Sequence, residues 1–147
     1  TLHSAAAPRG PGPPGNADHN RLDQRGPMDR LVPRALAEIL PKAQGIDQDL
    51  ILCGHTVAPR IVRLPGGKTL VNPGSGGCPA YLDTRMKPEF VHQTGAPDAR
   101  YAIVERRKGQ WAADLIAVPY DPEPMARLAR QKNADSWAQA ITTGWFA

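Results

Sequence analysis

Residues 50–53 (LILC) form an unbroken apolar run that stops at Gly54 and His55. Such a run has no polar face to offer to water, so it reads as a strand covered on both sides, the situation found in α/β sheets. Turn chemistry downstream supplies further strands. RIVRL and KTLVN flank Pro65, Gly66 and Gly67, and RYAIVER and WAADLIAVPY flank Lys108, Gly109 and Gln110. Each is the signal of a β-hairpin. Along the last of these segments Ala112, Ile116 and Val118 alternate with Trp111, Leu115 and Ala117, which predicts a strand with both faces covered.

Helical spacing occurs at both ends of this β-rich stretch. Leu31, Val32, Leu36, Ile39, Leu40 and Ala43 recur with the helix period, Pro33 suits a first turn and Gly45 suits a terminus. Pro41 is expected to kink or shorten that helix, because it lacks the N–H that the ladder needs. Near the end, Asp121 and Pro122 are placed to start a helix through Met125 and Leu128. Ser136 and Gln139 make a capping-box pattern ahead of Trp137, Ala140 and Ile141. The fold class expected is α/β.

The beginning of the chain is different. Residues 4–29 consist mainly of Ala, Pro, Gly and polar residues, with only Leu22 and Met28 as large apolar side chains. A segment with so little to bury does not offset its ordering entropy, so residues 1–30 are expected to be irregular or disordered and residues 31–147 to hold the folded region.

The 147 residues suit one domain. A net charge of +4 favours an anionic partner, but arginines such as Arg9, Arg63 and Arg130 are spread along the chain. This leans toward a phosphate-bearing small molecule. A nucleic-acid interface would interleave aromatic residues with a basic patch, and the sequence has no such pattern. Cys53 and Cys78 lack metal-finger or redox spacing and read as free thiols. No apolar run approaches the roughly 18 residues of a membrane span, and no signal pattern opens the chain. A soluble, cytoplasmic protein is the expectation. The first residue is Thr1 rather than Met, as in a fragment or a processed product.

Two strand ends carry the candidate chemistry, CGHT at residues 53–56 and VNPGSGGCP at 71–79. Asn72 and Pro73 enforce a turn, and Gly74, Gly76 and Gly77 permit positive φ, so successive N–H groups could face an anion. A tight structural turn explains the same residues. His55 is either a ligand or a hydrogen-bonded full stop to the strand.

Taken together, residues 50–79 resemble the C-terminal part of the calcineurin-like metallophosphoesterases, especially the small bacterial phosphodiesterase branch. That pattern runs from an apolar strand to Gly-His-Thr-His, a Pro two residues on, a hairpin, then Val-Asn-Pro-Gly-Ser and a later Pro. Gly54, His55, Thr56, Pro59, Val71, Asn72, Pro73, Gly74, Ser75 and Pro79 fall in register with it. The resemblance extends over about residues 31–120. It implies part of an αββα sandwich, a mixed sheet layered between helices, and a hydrolase of phosphomonoesters or phosphodiesters. In that chemistry two divalent ions about 3.5–4 Å apart share a hydroxide that attacks phosphorus. Mn, Fe, Ni or Zn would serve as the metal cofactors.

By the same resemblance His55 matches a metal ligand, and Asn72 and Ser75 are the candidates for contacting substrate. His3 in TLHS matches a second metal-binding histidine, with Ser4 in place of the family's glycine. GNAD at residues 15–18 is similar to Gly-Asn-x-Asp, in which the asparagine binds metal, but it stands in a Pro/Gly tract with no strand before it. Val57 replaces the second histidine of Gly-His-Thr-His, and the Asp-x-His and Gly-Asp motifs do not occur. The catalytic residues are therefore unassigned. The reading is an enzyme ancestry with an incomplete or impaired site; the alternative is a non-catalytic scaffold or binding protein that retains the fold. His19 and His92 have no motif context and read as surface residues.

Overall fold

The computed structural model describes residues 35–84 and 88–146. The irregular segment expected at 1–30, with His3, His19 and the GNAD tetrapeptide, lies outside them. So do Leu31, Val32 and Pro33.

The first helix, α1 (Leu36–Ala43), contains Pro41 near its end and stops just before Gly45, which adopts φ 85°. This is the left-handed position that glycine fills after a helix. The Glu38 carboxylate accepts a hydrogen bond from the N–H of Ala35 (3.0 Å), so one orphan donor of the first turn is satisfied.

Next come β1 (Leu50–Leu52), β2 (Arg60–Arg63) and β3 (Thr69–Asn72). Their order in the sheet is β1-β3-β2. β2 and β3 are the hairpin expected around Pro65–Gly67, where Gly66 and Gly67 both take positive φ. β1 joins β3 in parallel, with Ile51 opposite Leu70. The central strand is therefore β3, buried along its whole length, while β1 has half-buried Leu50 and Leu52 on either side of buried Ile51. The strand covered on both faces is the one that follows the hairpin turn, and LILC lies beside it. Lys68 ties the α1–β1 connection to the hairpin by donating to the carbonyls of Ile46 and Gln48. Ile39, Ala43, Ile51, Cys53, Leu64 and Leu70 form the core beneath this sheet. Each of its larger aliphatic side chains contributes about 1.5–3 kcal/mol by leaving water.

Two antiparallel ribbons follow, β4 (Ala80–Asp83) with β5 (Phe90–Gln93), and β6 (Ala99–Arg107) with β7 (Gln110–Val118). The second was expected from its turn. Lys108 and Gly109 both take positive φ (49° and 82°), as a two-residue hairpin loop requires. The double cover predicted for β7 is not found: Leu115 and Val118 are exposed, as are Tyr101 and Ile103 on β6. Arg63 donates to the carbonyl of Trp111, and Arg106 pairs with Asp49 (3.6 Å), so this ribbon is tied to the first sheet by polar contacts.

The chain closes with α2 (Glu123–Gln131) and α3 (Asp135–Thr143). They meet through Ala126, Ala129 and Ala138, whereas Met125 and Leu128 face outward. α3 begins at Asp135, not behind a Ser136 cap, and its preceding residue Ala134 has no side chain able to cap it. Three helices and several small sheets make the protein mixed α/β among the described residues. None of the described helices is long and apolar enough to cross a membrane.

Candidate functional site

The loop after β1 and the loop after β3 leave the sheet at the same end, because β1 and β3 are parallel neighbours. Cys53 fastens the first loop to β3: its N–H donates to the carbonyl of Val71 (3.0 Å) and its thiol donates to the same oxygen (3.6 Å). Beyond it, Thr56 is fully buried. Its N–H donates to the carbonyl of Gly54 (2.8 Å), its hydroxyl oxygen accepts from Asn72 Nδ2 (2.8 Å), and its carbonyl accepts from the Tyr81 hydroxyl (2.9 Å).

On either side of this anchored threonine the backbone is strained. His55 has φ 68° and Val57 φ 50°. For a β-branched residue that conformation is an outlier, and it costs on the order of 1–3 kcal/mol. The bonds to Thr56 hold it in place. His55 is exposed, and Val57 is half-buried.

Asn72 ends the central strand with its side chain fully buried. Nδ2 reaches the carbonyl of Gly54 (3.5 Å) as well as Thr56, while Oδ1 accepts from the N–H of Gly74 (3.0 Å). One amide side chain thus joins both residues that flank His55 to the NPGS loop. Ser75 Oγ accepts from the N–H groups of Gly77 (3.3 Å) and Cys78 (3.0 Å). The backbone donors of Gly74, Gly77 and Cys78 are consequently engaged inside the loop. Asn72 and Ser75 shape the turn, and an anion reaching those N–H groups would have to displace them. Gly74 takes φ 92°.

A second group of residues abuts the same loops. The Tyr81 ring, which anchors Thr56, lies 5.2 Å from the His92 ring at an interplanar angle of 31°. His92 is half-buried on β5, not a surface residue. Burial, and then the positive charge of Arg100, hold its pKa below the ordinary value. The N–H of Arg100 donates to the carbonyl of Ser75 (3.0 Å), which sets the start of β6 against the NPGS loop. Tyr81 and Arg100 drew no notice in the sequence, and His92 read there as a surface residue. None carries a motif, and their only local signal is a place in a short apolar-polar alternation.

The donor set for metal is thin. Among the described residues, no three His, Cys, Asp or Glu side chains come together in a metal-holding group. His55 brings one imidazole, and the side chain two residues on is a valine with no lone pair. The described residues do not by themselves fit a dinuclear centre. Cys53 and Cys78 are free thiols; burial raises the pKa of Cys78, so that residue is not set up as a thiolate ligand. No family model matches the chain, and no curated protein matches it.

Proposed function

We propose that this chain is a metallophosphoesterase-like protein, derived from the C-terminal half of an αββα sandwich, whose hydrolytic site is impaired. Its ligands would be small phosphate esters, held where the Gly-His-Thr and Asn-Pro-Gly-Ser loops meet. The observation that carries this reading is the Asn72 amide bonded to Thr56 and Gly54 on one side and to Gly74 on the other. It joins the two motifs of the resemblance into one constructed corner, beside two strained residues that a plain connecting turn would not need.

Within that corner Thr56 and Asn72 are positioning residues, Ser75 shapes the loop, and His55 is the remaining metal-binding candidate, with His3 as its proposed companion. A divalent ion such as Mn, Fe, Ni or Zn would supply a Lewis acid there, with one imidazole giving it weak purchase. Free thiols suit a reducing compartment, so the cytoplasm is the proposed location. Neither a membrane nor a nucleic acid enters this reading. Val57 is the specific observation that favours the second reading, a scaffold or binding protein that has kept the fold and given up the chemistry.

The test is cleavage of an aryl phosphodiester, with and without Mn²⁺, by the wild type and by Val57→His. Neither protein is expected to show robust metal-dependent turnover, because one added imidazole does not gather two metals around a hydroxide or supply the bridging carboxylate. Robust turnover by either would overturn the view that the site is impaired, and would bring Asn16 and Asp18 back as ligands.

A further inference from the structure

Arg100 and the neighbouring half-buried His92 are side chains that the reading above does not use. Three observations bear on them, two on Arg100 and one on both. First, the stem of Arg100 lies directly across Gly74: a Cβ at that glycine would stand 3.1 Å from Arg100 Cβ, 3.2 Å from Arg100 Cδ and 3.3 Å from Pro59 Cβ. The absent side chain is what lets the arginine lie along the NPGS loop. Second, the Arg100 N–H bond to the Ser75 carbonyl (3.0 Å) fixes the root of that side chain, so its position is set by two successive residues of the loop. Third, Arg100 Nε and His92 Nε2 are buried nitrogen atoms with no hydrogen-bond partner among the described residues, and Arg100 forms no salt bridge with a described carboxylate.

A buried donor left unmade costs about 1–3 kcal/mol, and more when it is charged. Burial and the guanidinium of Arg100 together oppose protonation of the His92 imidazole. The arrangement becomes favourable when a ligand brings negative charge and acceptor oxygens to both. Arginine suits this, since its planar fork gives two parallel N–H bonds to a tetrahedral or carboxylate oxyanion.

We propose that Arg100 and His92 bind an oxyanion of the phosphate type against the NPGS loop, in a site that needs no metal. The guanidinium and a protonated His92 would both donate to it. This rests on the geometry of β5, β6 and the loop, so it stands or falls separately from the metallophosphoesterase reading.

The experiment is a titration of the full-length, isotopically labelled protein with inorganic phosphate in the presence of EDTA, followed by NMR at the His92 ring and at Arg100 Nε–H. Saturable shifts at both groups are expected, with the His92 pKa rising as phosphate fills the site and sulfate competing. Arg100→Met should weaken phosphate at least about tenfold, the loss of one charged hydrogen bond. Arg100→Lys should fall between it and the wild type, because charge is kept and the fork is lost. If Arg100→Met fails to fold, Arg100→Lys and the wild-type ring titration decide. The inference is overturned if neither group responds saturably to phosphate, or if Arg100→Met and Arg100→Lys bind phosphate like the wild type. Binding that needs Mn²⁺ and is lost in His55→Ala alone would also overturn it, while leaving the proposed function in place.

Discussion

Replacing Gly144 by alanine is expected to remove about 3–5 kcal/mol of stability, a large part of what a domain of this size has. Gly144 follows α3 with φ 75° and donates its N–H to the carbonyl of Ala140 (2.9 Å). Its own carbonyl accepts from Gly95 (3.0 Å), which pins the end of α3 to the loop between β5 and β6. Left-handed backbone alone costs an alanine about 1–2 kcal/mol. The larger effect is steric. The new Cβ would lie 2.2 Å from the nitrogen, 2.5 Å from the oxygen and 2.6 Å from the carbonyl carbon of Ala96. Those are backbone atoms, so no rotamer change relieves the overlap and the docked loop must move. Gly45→Ala is the control, because Gly45 also has positive φ (85°) but meets nothing within 4 Å. It should cost only the conformational part, about 1–2 kcal/mol. Urea unfolding of both variants measures the difference, and equal costs would show that the α3 contact with Ala96 is not made.

Asn72→Ala should cost about 2–4 kcal/mol, because a fully buried amide with three hydrogen-bond contacts is removed from the junction of two loops. Truncation leaves the Thr56 hydroxyl and the Gly74 N–H without that partner and opens a void at the end of the central strand. Its distinctive result is local. Amide exchange should accelerate at residues 54–57 and 72–75 together, since one side chain ties both segments down. A double-mutant cycle with Thr56→Val should give a coupling of about 1 kcal/mol, the worth of one buried bond. Additive effects would mean that the two loops are held independently, and the constructed corner would lose its basis.

Parts of this fold were legible where turn chemistry is local. Pro65–Gly67 and the Lys108, Gly109 pair announce their hairpins because positive φ at the turn and the flanking apolar runs are written within a few residues of each other. Gly45 marks the end of α1 for the same reason. What escaped depends on contacts distant in sequence. β4 and β5 are four residues each and carry no turn signal of a two-residue kind. LILC looked central because it is wholly apolar, but pairing with β3 put the buried centre one strand over. On α2 the spacing of Met125 and Leu128 announced a helix but did not say which face it buries. The alanines are buried, because small side chains let α2 and α3 approach closely.

The site was half legible for a related reason. His55, Asn72 and Ser75 sit in motifs, so they could be named from the chain alone. Thr56 could be quoted there as well, yet its role as the buried anchor of three hydrogen bonds depends on Asn72 and Tyr81, which lie 16 and 25 residues further on. Arg100 and His92 reach the same corner from β6 and β5, and no local pattern connects them with Gly74.

The central claim is that the Gly-His-Thr and Asn-Pro-Gly-Ser loops form one ligand corner around a surviving histidine. Paramagnetic broadening by Mn²⁺, followed residue by residue in the NMR spectrum of the labelled protein, tests it most directly. The account predicts weak binding, with broadening concentrated at residues 54–57 and 72–75 and abolished in His55→Ala. Broadening centred elsewhere, as on Asp47 and Asp49, or unchanged by His55→Ala, would contradict it.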